Sequence, residues 1–340
     1  MNRARNRSPI AKKIRRALMC CLAMFMGVTH LARAAPPREL NGFDLTECTI
    51  PAEDIQRGGP PRDGIPALTE PETMAAEEAS YLAPGDMVIG VEFDGQARAY
   101  PLRILLWHEN VNDVVGGRPI AVTYCPLCHS ATAFDREVGG EVREFGISGL
   151  LWNSNVLLYD RQQNGQSSLW SQAGMRAVCG PAAEDELELR LLSSQLLSWK
   201  EWKNRHPDTT VLSRDTGHRR DYGRNPYENY FSTQRLMFPV SASSEDLADY
   251  PNKEHVVVVR AGDRIKGYPI SEIAEAAGRD GVLTDTLAGV KVRLHYDPTE
   301  ETVRVTAAGR VPDGKAFGVG HMFWFAWKSV YPAAPIFRAG

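Results

Sequence analysis

Val88-Ile89-Gly90-Val91-Glu92-Phe93, then Asp94-Gly95, then Gln96-Ala97-Arg98-Ala99-Tyr100-Pro101 reads as strand, turn and strand. Asp-Gly supplies the positive φ that a two-residue hairpin needs. The run from Val256 to Pro269 repeats the pattern with Gly262-Asp263 at the turn, and the interval from Val91 to Pro101 equals that from Val259 to Pro269. Three further matches follow in the same order. Pro101 opens Leu102 to His108 as Pro269 opens Ile270 to Ala277, proline being favoured at a helix start. An apolar strand ending in Tyr124-Cys125-Pro126 is answered by Val290 to His295 and Tyr296-Asp297-Pro298. Trp199-x-x-Trp202-Lys203-x-x-His206-Pro207 is answered by Trp324-x-x-Trp327-Lys328-x-x-Tyr331-Pro332, each tryptophan pair sharing one helix face.

The expected fold is therefore α+β and β-rich: two tandem copies of a hairpin-helix-strand unit, each closed by a Trp-bearing helix. The first copy spans 86–212 and the second, degenerate copy 254–336, with a polar and aromatic connector over 213–253. A Gly/Pro-rich arm over 35–85 precedes them and cannot be inner strand or long helix, because its prolines remove donors; a short helix is expected near Pro71 to Ser80. In the first copy the turns at Gly139-Gly140 and Asn164-Gly165 suggest additional hairpins, with Ser148 to Asn155 as a loop. The second copy has Asp297 and Glu300 where the first has Cys125 and Cys128, and it lacks about forty residues. Chemistry is thus expected in the first copy.

Residues 1–34 read as a cleavable signal peptide. Lys12, Lys13, Arg15 and Arg16 precede the apolar run Ala17 to Val28, and Ala32-Arg33-Ala34 offers a small-x-small cleavage pattern. Removing them would leave 31 basic against 42 acidic side chains, a net charge of −11. Such a chain has no electrostatic reason to bind nucleic acid. No second apolar run reaches transmembrane length, so a soluble periplasmic or secreted protein is expected, without a transmembrane anchor and with a periplasmic protein as one conceivable partner.

Several runs, taken together, carry a resemblance: Gly58-Gly59-Pro60-Pro61, Ala97 to Leu102, Trp107-His108-Glu109, Tyr124-Cys125-Pro126-Leu127-Cys128, Ser148-Gly149-Leu150-Leu151 and Ser168-Leu169-Trp170-Ser171-Gln172. The chain resembles the exported bacterial family known as DUF3179. The resemblance implies no activity. It does mark one departure, since that family usually has glycine after the second cysteine and this chain has His129.

Cys125-Pro126-Leu127-Cys128 follows a strand on a tight turn, a shape that can hold a metal between thiolates, form a disulfide, or cycle between the two. In the metal reading Cys125 and Cys128 are thiolate ligands, His108 the third donor and His129 a fourth, with Glu109 and Asp113 orienting His108. Copper(I) or zinc suits such soft donors better than magnesium or calcium, and no nucleotide cofactor is indicated. A redox dithiol of the same two cysteines is the alternative, weakened by the lack of a helix after the motif. A third possibility is an interaction module whose cysteines are only structural. Cys48 and Cys179 read as unpaired or structural, a bridge between them being the lesser reading. The tryptophans are expected in the cores rather than in a cleft, Gly146-Ile147-Ser148-Gly149 lacks the full serine-nucleophile pattern, and Asp221 and Arg224 read as a solvated turn.

Overall fold

A computed structural model describes residues 38–162, 166–309, 311 and 316–340. The expected signal peptide and the Asn164-Gly165 turn lie outside these residues. The first hairpin pairs β1 (Met87–Phe93) with β2 (Gln96–Pro101), from Val88↔Pro101 to Phe93↔Gln96. Asp94 and Gly95 both take positive φ, as the turn requires. Helix α1 (Leu102–His108) follows, starting where Pro101 stops donating and ending at Glu109, which adopts the left-handed conformation with φ 56°. Next come β3 (Asn110–Val115), β4 (Arg118–Cys125) and β5 (Ser130–Asp135), an antiparallel meander.

The bulge in β6 (Phe145–Trp152) interrupts its pairing with β7 (Asn155–Asp160) between Ile147 and Leu150. The Ser148 to Asn155 stretch, expected as a loop, is therefore mostly strand. Its small polar residues serve the bulge, where Gly149 has φ 73° and the Pro60 carbonyl would sit 2.2 Å from a Cβ. After β8 (Leu169–Ser171), β9 (Ser194–Ser198) pairs with β1, and α2 (Trp199–Arg205) is capped by the Ser198 hydroxyl.

The later half runs β10 (His255–Ala261), β11 (Arg264–Pro269), α3 (Ile270–Ala276), β12 (Val282–Leu287), β13 (Val290–Asp297), β14 (Thr302–Ala307), β15 (Phe317–Phe323) and α4 (Trp324–Val330). Strand β15 pairs with β10 as β9 pairs with β1. Arg98 and Tyr100 hydrogen-bond Asp113; Lys266 and Tyr268 hydrogen-bond Asp285. Trp202 lies on Gly90 and Trp327 on Gly267, each so close that a Cβ would meet the ring within 3 Å. The four helical tryptophans are buried, as expected.

A seven-stranded sheet takes strands from both halves, in the order β11-β10-β15-β5-β4-β3 and then Leu68–Thr69. The molecule is β-rich with few, short helices. Pairing of β5 with β15 brings the end of the chain beside the Cys125 to Cys128 turn.

The arm holds short strands rather than a helix near Pro71 to Ser80; Thr73–Ala75 instead pairs with Thr210–Leu212. Gln56–Arg57 adds to β6, and the amides of Gly58 and Asp63 donate to the carbonyls of Gly149 and Ile147. Cys48 and Cys179 form a disulfide, which corrects the expectation that they are unpaired. The Thr49 amide donates to the Val178 carbonyl, so backbone pairing sets the two cysteines side by side despite the 131 residues between them. Such a long-range strand contact leaves no mark in local sequence.

Candidate functional site

Ser130 pairs directly with Cys125, so Pro126 to His129 form the turn of a hairpin made by β4 and β5. His129 takes φ 49°, the left-handed region that glycine fills most easily. The departure from glycine is tolerated because the imidazole is packed: it stacks on Phe323, lies edge-on to Tyr124 and Phe231, and stands 4.6 Å from His255. Its Nδ1 shares a 2.7 Å hydrogen bond with the Tyr124 hydroxyl.

Both thiols are free and sealed, Cys125 being 1% and Cys128 0% exposed. Their environments differ. The Asn155 side chain starts at β7, and the Ala173 amide donating to its Oδ1 at 2.9 Å turns its Nδ2 toward Cys128 Sγ, 3.0 Å away. Ser130 Oγ lies 3.1 Å from the same sulfur. Gln172, just after β8, locks this group: its Oε1 accepts from Asn155 at 2.7 Å, and its Nε2 donates to Thr123 at 2.9 Å and Thr132 at 3.2 Å. Every one of these polar side chains is buried.

Proton accounting makes the network responsive. Ser130 carries one hydroxyl proton and has two acceptors in reach, Cys128 Sγ and Gln172 Oε1. Because Asn155 already serves Gln172, the hydroxyl can turn to an anionic sulfur without leaving an orphan acceptor. Burial alone would raise the Cys128 thiol, but hydrogen bonds from Cys125, Ser130 and Asn155 outweigh it and hold Cys128 below the ordinary thiol value. Burial and then the neighbouring Cys128 push Cys125 up. The two sulfurs are thus unlike, Cys128 giving up its proton more readily than Cys125.

Glu109 completes this environment. Its carboxyl is buried, and burial followed by the charge on Cys128 raises it to about 8. Glu109 also acts electrostatically on Cys125, so one carboxyl senses both sulfurs.

The other predicted donors are elsewhere. His108 is buried, with Nδ1 2.7 Å from the Pro66 carbonyl and Nε2 2.7 Å from the Tyr222 hydroxyl. Both nitrogens are therefore occupied, and burial lowers the ring to about 4, so it is neutral. Asp113 does not orient it: the Asp113 carboxylate is taken by Arg98 and Tyr100. Among the described residues no group of three or more His, Cys, Asp or Glu side chains is placed to hold a metal ion. Of the four predicted ligands, the fold brings only the two cysteines into one hydrogen-bonded unit.

The connector proves to be the roof of the site. The Tyr230 hydroxyl donates to the Leu127 carbonyl at 2.6 Å, Phe231 packs on His129, and Tyr222 holds His108. Tyr227 and Phe231 pack against the cluster that contains both cysteines. From the other side, the Phe323 amide donates to the Cys128 carbonyl at 2.8 Å. Asn155, Gln172 and the connector aromatics were missed as site residues. The available signal was an amide side chain two positions past Trp170, at the end of the Leu169-Trp170-Ser171 strand.

Fold and site together define a β-rich protein with a buried Cys-x-x-Cys turn whose two free thiols have different hydrogen-bond partners. A match to the family described as "Protein of unknown function (DUF3179)" covers residues 62–320, and the chain belongs to that family. No curated protein and no solved structure matches it.

Proposed function

We propose that Cys125 and Cys128 are a dithiol redox centre in a duplicated, exported scaffold, Cys128 being the attacking thiolate and Cys125 the resolving thiol. The observation that carries the reading is the asymmetry between the two sulfurs: Asn155 and Ser130 serve Cys128 alone. A pair kept only for packing has no need of a fixed amide donor backed by Gln172, Thr123 and Thr132. Paired elements in the two halves, including Arg98-Tyr100-Asp113 beside Lys266-Tyr268-Asp285, support the duplication. Where Cys125 stands in the first copy, Asp297 in the second only closes a turn, accepting from the Thr299 amide at 2.8 Å.

The reaction balances as follows. Cys128 thiolate attacks one sulfur of a substrate disulfide, breaking that bond and releasing one substrate thiolate. The released substrate thiolate takes up the Cys125 proton, leaving Cys125 as the second nucleophile. Cys125 then attacks the Cys128 sulfur, forming the Cys125–Cys128 disulfide and expelling the second substrate thiolate. Two electrons pass from the protein pair to the substrate.

A Cys125→Ser variant should accumulate the mixed disulfide, a Cys128→Ser variant should not, and the wild type should end as the intramolecular disulfide. A second reading is favoured by the closeness and shielding of the two sulfurs, which suit a two-coordinate soft ion such as copper(I). Zinc would require two further donors. Folded protein that reacts with no disulfide but retains one copper(I) per chain would overturn the redox reading in favour of this one.

A further inference from the structure

A cleft of about 300 Å³ opens on the flank of the Cys125 to Cys128 turn. Its lining includes Tyr124 and His129, the residues immediately before and after the motif, together with Arg103, Tyr222, Arg224 and Phe231. The charge of this surface is unusual for the chain. Over residues 214–224 the connector carries Arg214, Arg219, Arg220 and Arg224 against Asp215 and Asp221, in a protein with more acidic than basic side chains. Among the described residues none of those four arginines makes a salt bridge, although Asp221 is only three positions from Arg224. Its carboxylate accepts from the Gly223 amide within its own turn. Arg219, Arg220 and Arg224 are exposed; of the four only Arg224 lines the cleft, while Arg214, Arg219 and Arg220 line a neighbouring recess that shares Tyr222 and Gly223 with it. On the opposite wall Arg103 is paired with Asp86, which lines the cleft as well, and donates to the Tyr81 carbonyl, yet its Nε is buried without a partner, and among the described residues Arg224 has no such counter-charge.

Unpaired guanidinium groups beside a recess attract anions and raise their local concentration. The same connector forms one wall of the cleft and the roof over the sulfurs, so a molecule seated there meets the segment that must shift to admit it. Resting on the dithiol reading above, we infer that the cleft between Arg103 and Arg224 selects a small disulfide bearing carboxylates as the substrate of Cys128. The carboxylates face the arginines, and the chemical step is the exchange already written.

The test uses three small disulfides of matched size: dithiodipropionate, bis(2-hydroxyethyl) disulfide and cystamine, which are anionic, neutral and cationic. Each rate of oxidation of the reduced full chain is divided by the rate for free dithiothreitol, which removes intrinsic leaving-group differences. The normalised rate should be at least about tenfold higher for the anionic than for the cationic disulfide at low salt. The ratio should shrink as salt is added and fall toward one in Arg224→Ala, with Arg224→Lys retaining part of it. A measurable reaction whose normalised rates ignore probe charge, or a ratio unmoved by Arg224→Ala in folded protein, would overturn the inference and leave the dithiol reading standing. Failure to react with all three disulfides would overturn the dithiol reading itself.

Discussion

Replacing Asn155 with alanine is the most direct probe of the site, because one amide group both faces the sulfur and is fixed by its own neighbours. The side chain gives Cys128 a 3.0 Å hydrogen bond, supplies Gln172 with a second and accepts the Ala173 amide. A hydrogen bond to a charged group is worth about 1.5–3 kcal/mol. Losing the one to the sulfur should lower the ratio of thiolate to thiol at fixed pH roughly ten- to a hundredfold. Ultraviolet thiolate absorbance, taken as the difference from a Cys128→Ser reference across a pH series, measures this fraction without requiring a reagent to reach a sealed sulfur. Nearby Tyr124, Tyr227 and Tyr230 are all raised by burial, so phenolate absorbance stays out of the way. The variant also strands the Ala173 amide, at a further cost of about 1–3 kcal/mol of stability. Thr132→Val controls for that, since it disturbs the far end of the network, where Gln172 donates, and does not touch the sulfur. A thiolate midpoint that is the same in folded Asn155→Ala and wild type would refute the argument that this amide sets the state of Cys128.

Two more outcomes follow from the groups around the pair. Glu109 titrates near 8 in the folded chain against about 4.5 in an unfolded one, so between those values the folded state holds a proton that the unfolded state has lost. Its contribution is fully present below about pH 4.5 and declines as pH rises toward 8, by up to roughly 1.4 kcal/mol per pH unit; Glu109→Gln should flatten this part of a urea-denaturation pH series, and an unchanged slope would count against a buried neutral carboxyl. Replacing Cys48 and Cys179 together by serine opens a loop of 131 residues and should cost up to about 5 kcal/mol by loop-closure entropy, seen as a lower melting temperature, while leaving the Cys128 thiolate fraction unchanged.

How much of this was legible in the sequence depends on the range of the interactions. Both hairpins and the helices at Leu102 and Ile270 follow from turn residues, alternation and a leading proline, which act within a few positions. The cysteine hairpin was legible for the same reason. What surrounds it was not. Cys48 meets Cys179, Tyr230 meets Leu127, and Phe323 meets Cys128 through contacts that no local pattern encodes. His108 was the natural third ligand on sequence distance alone, but the helix end that carries it turns its ring toward Pro66 and Tyr222. Asn155 was hidden because a polar cluster flanking apolar strands has the composition of a loop, whereas here it is buried and bonded.

The amide of Phe323 that closes on the Cys128 carbonyl lies roughly two hundred residues downstream of the motif. At ribosomal speeds of about 5–20 residues per second, the nascent chain exposes its sulfurs for on the order of 10–40 s before that last strand exists to shelter them. Until that strand docks, Cys48 and Cys179 are open as well once made, and in an oxidising compartment any of the four can couple with the wrong mate. Shelter for the two sulfurs therefore waits on the final strand, and a truncated tail would tilt the chain toward scrambled bridges wherever disulfides can form.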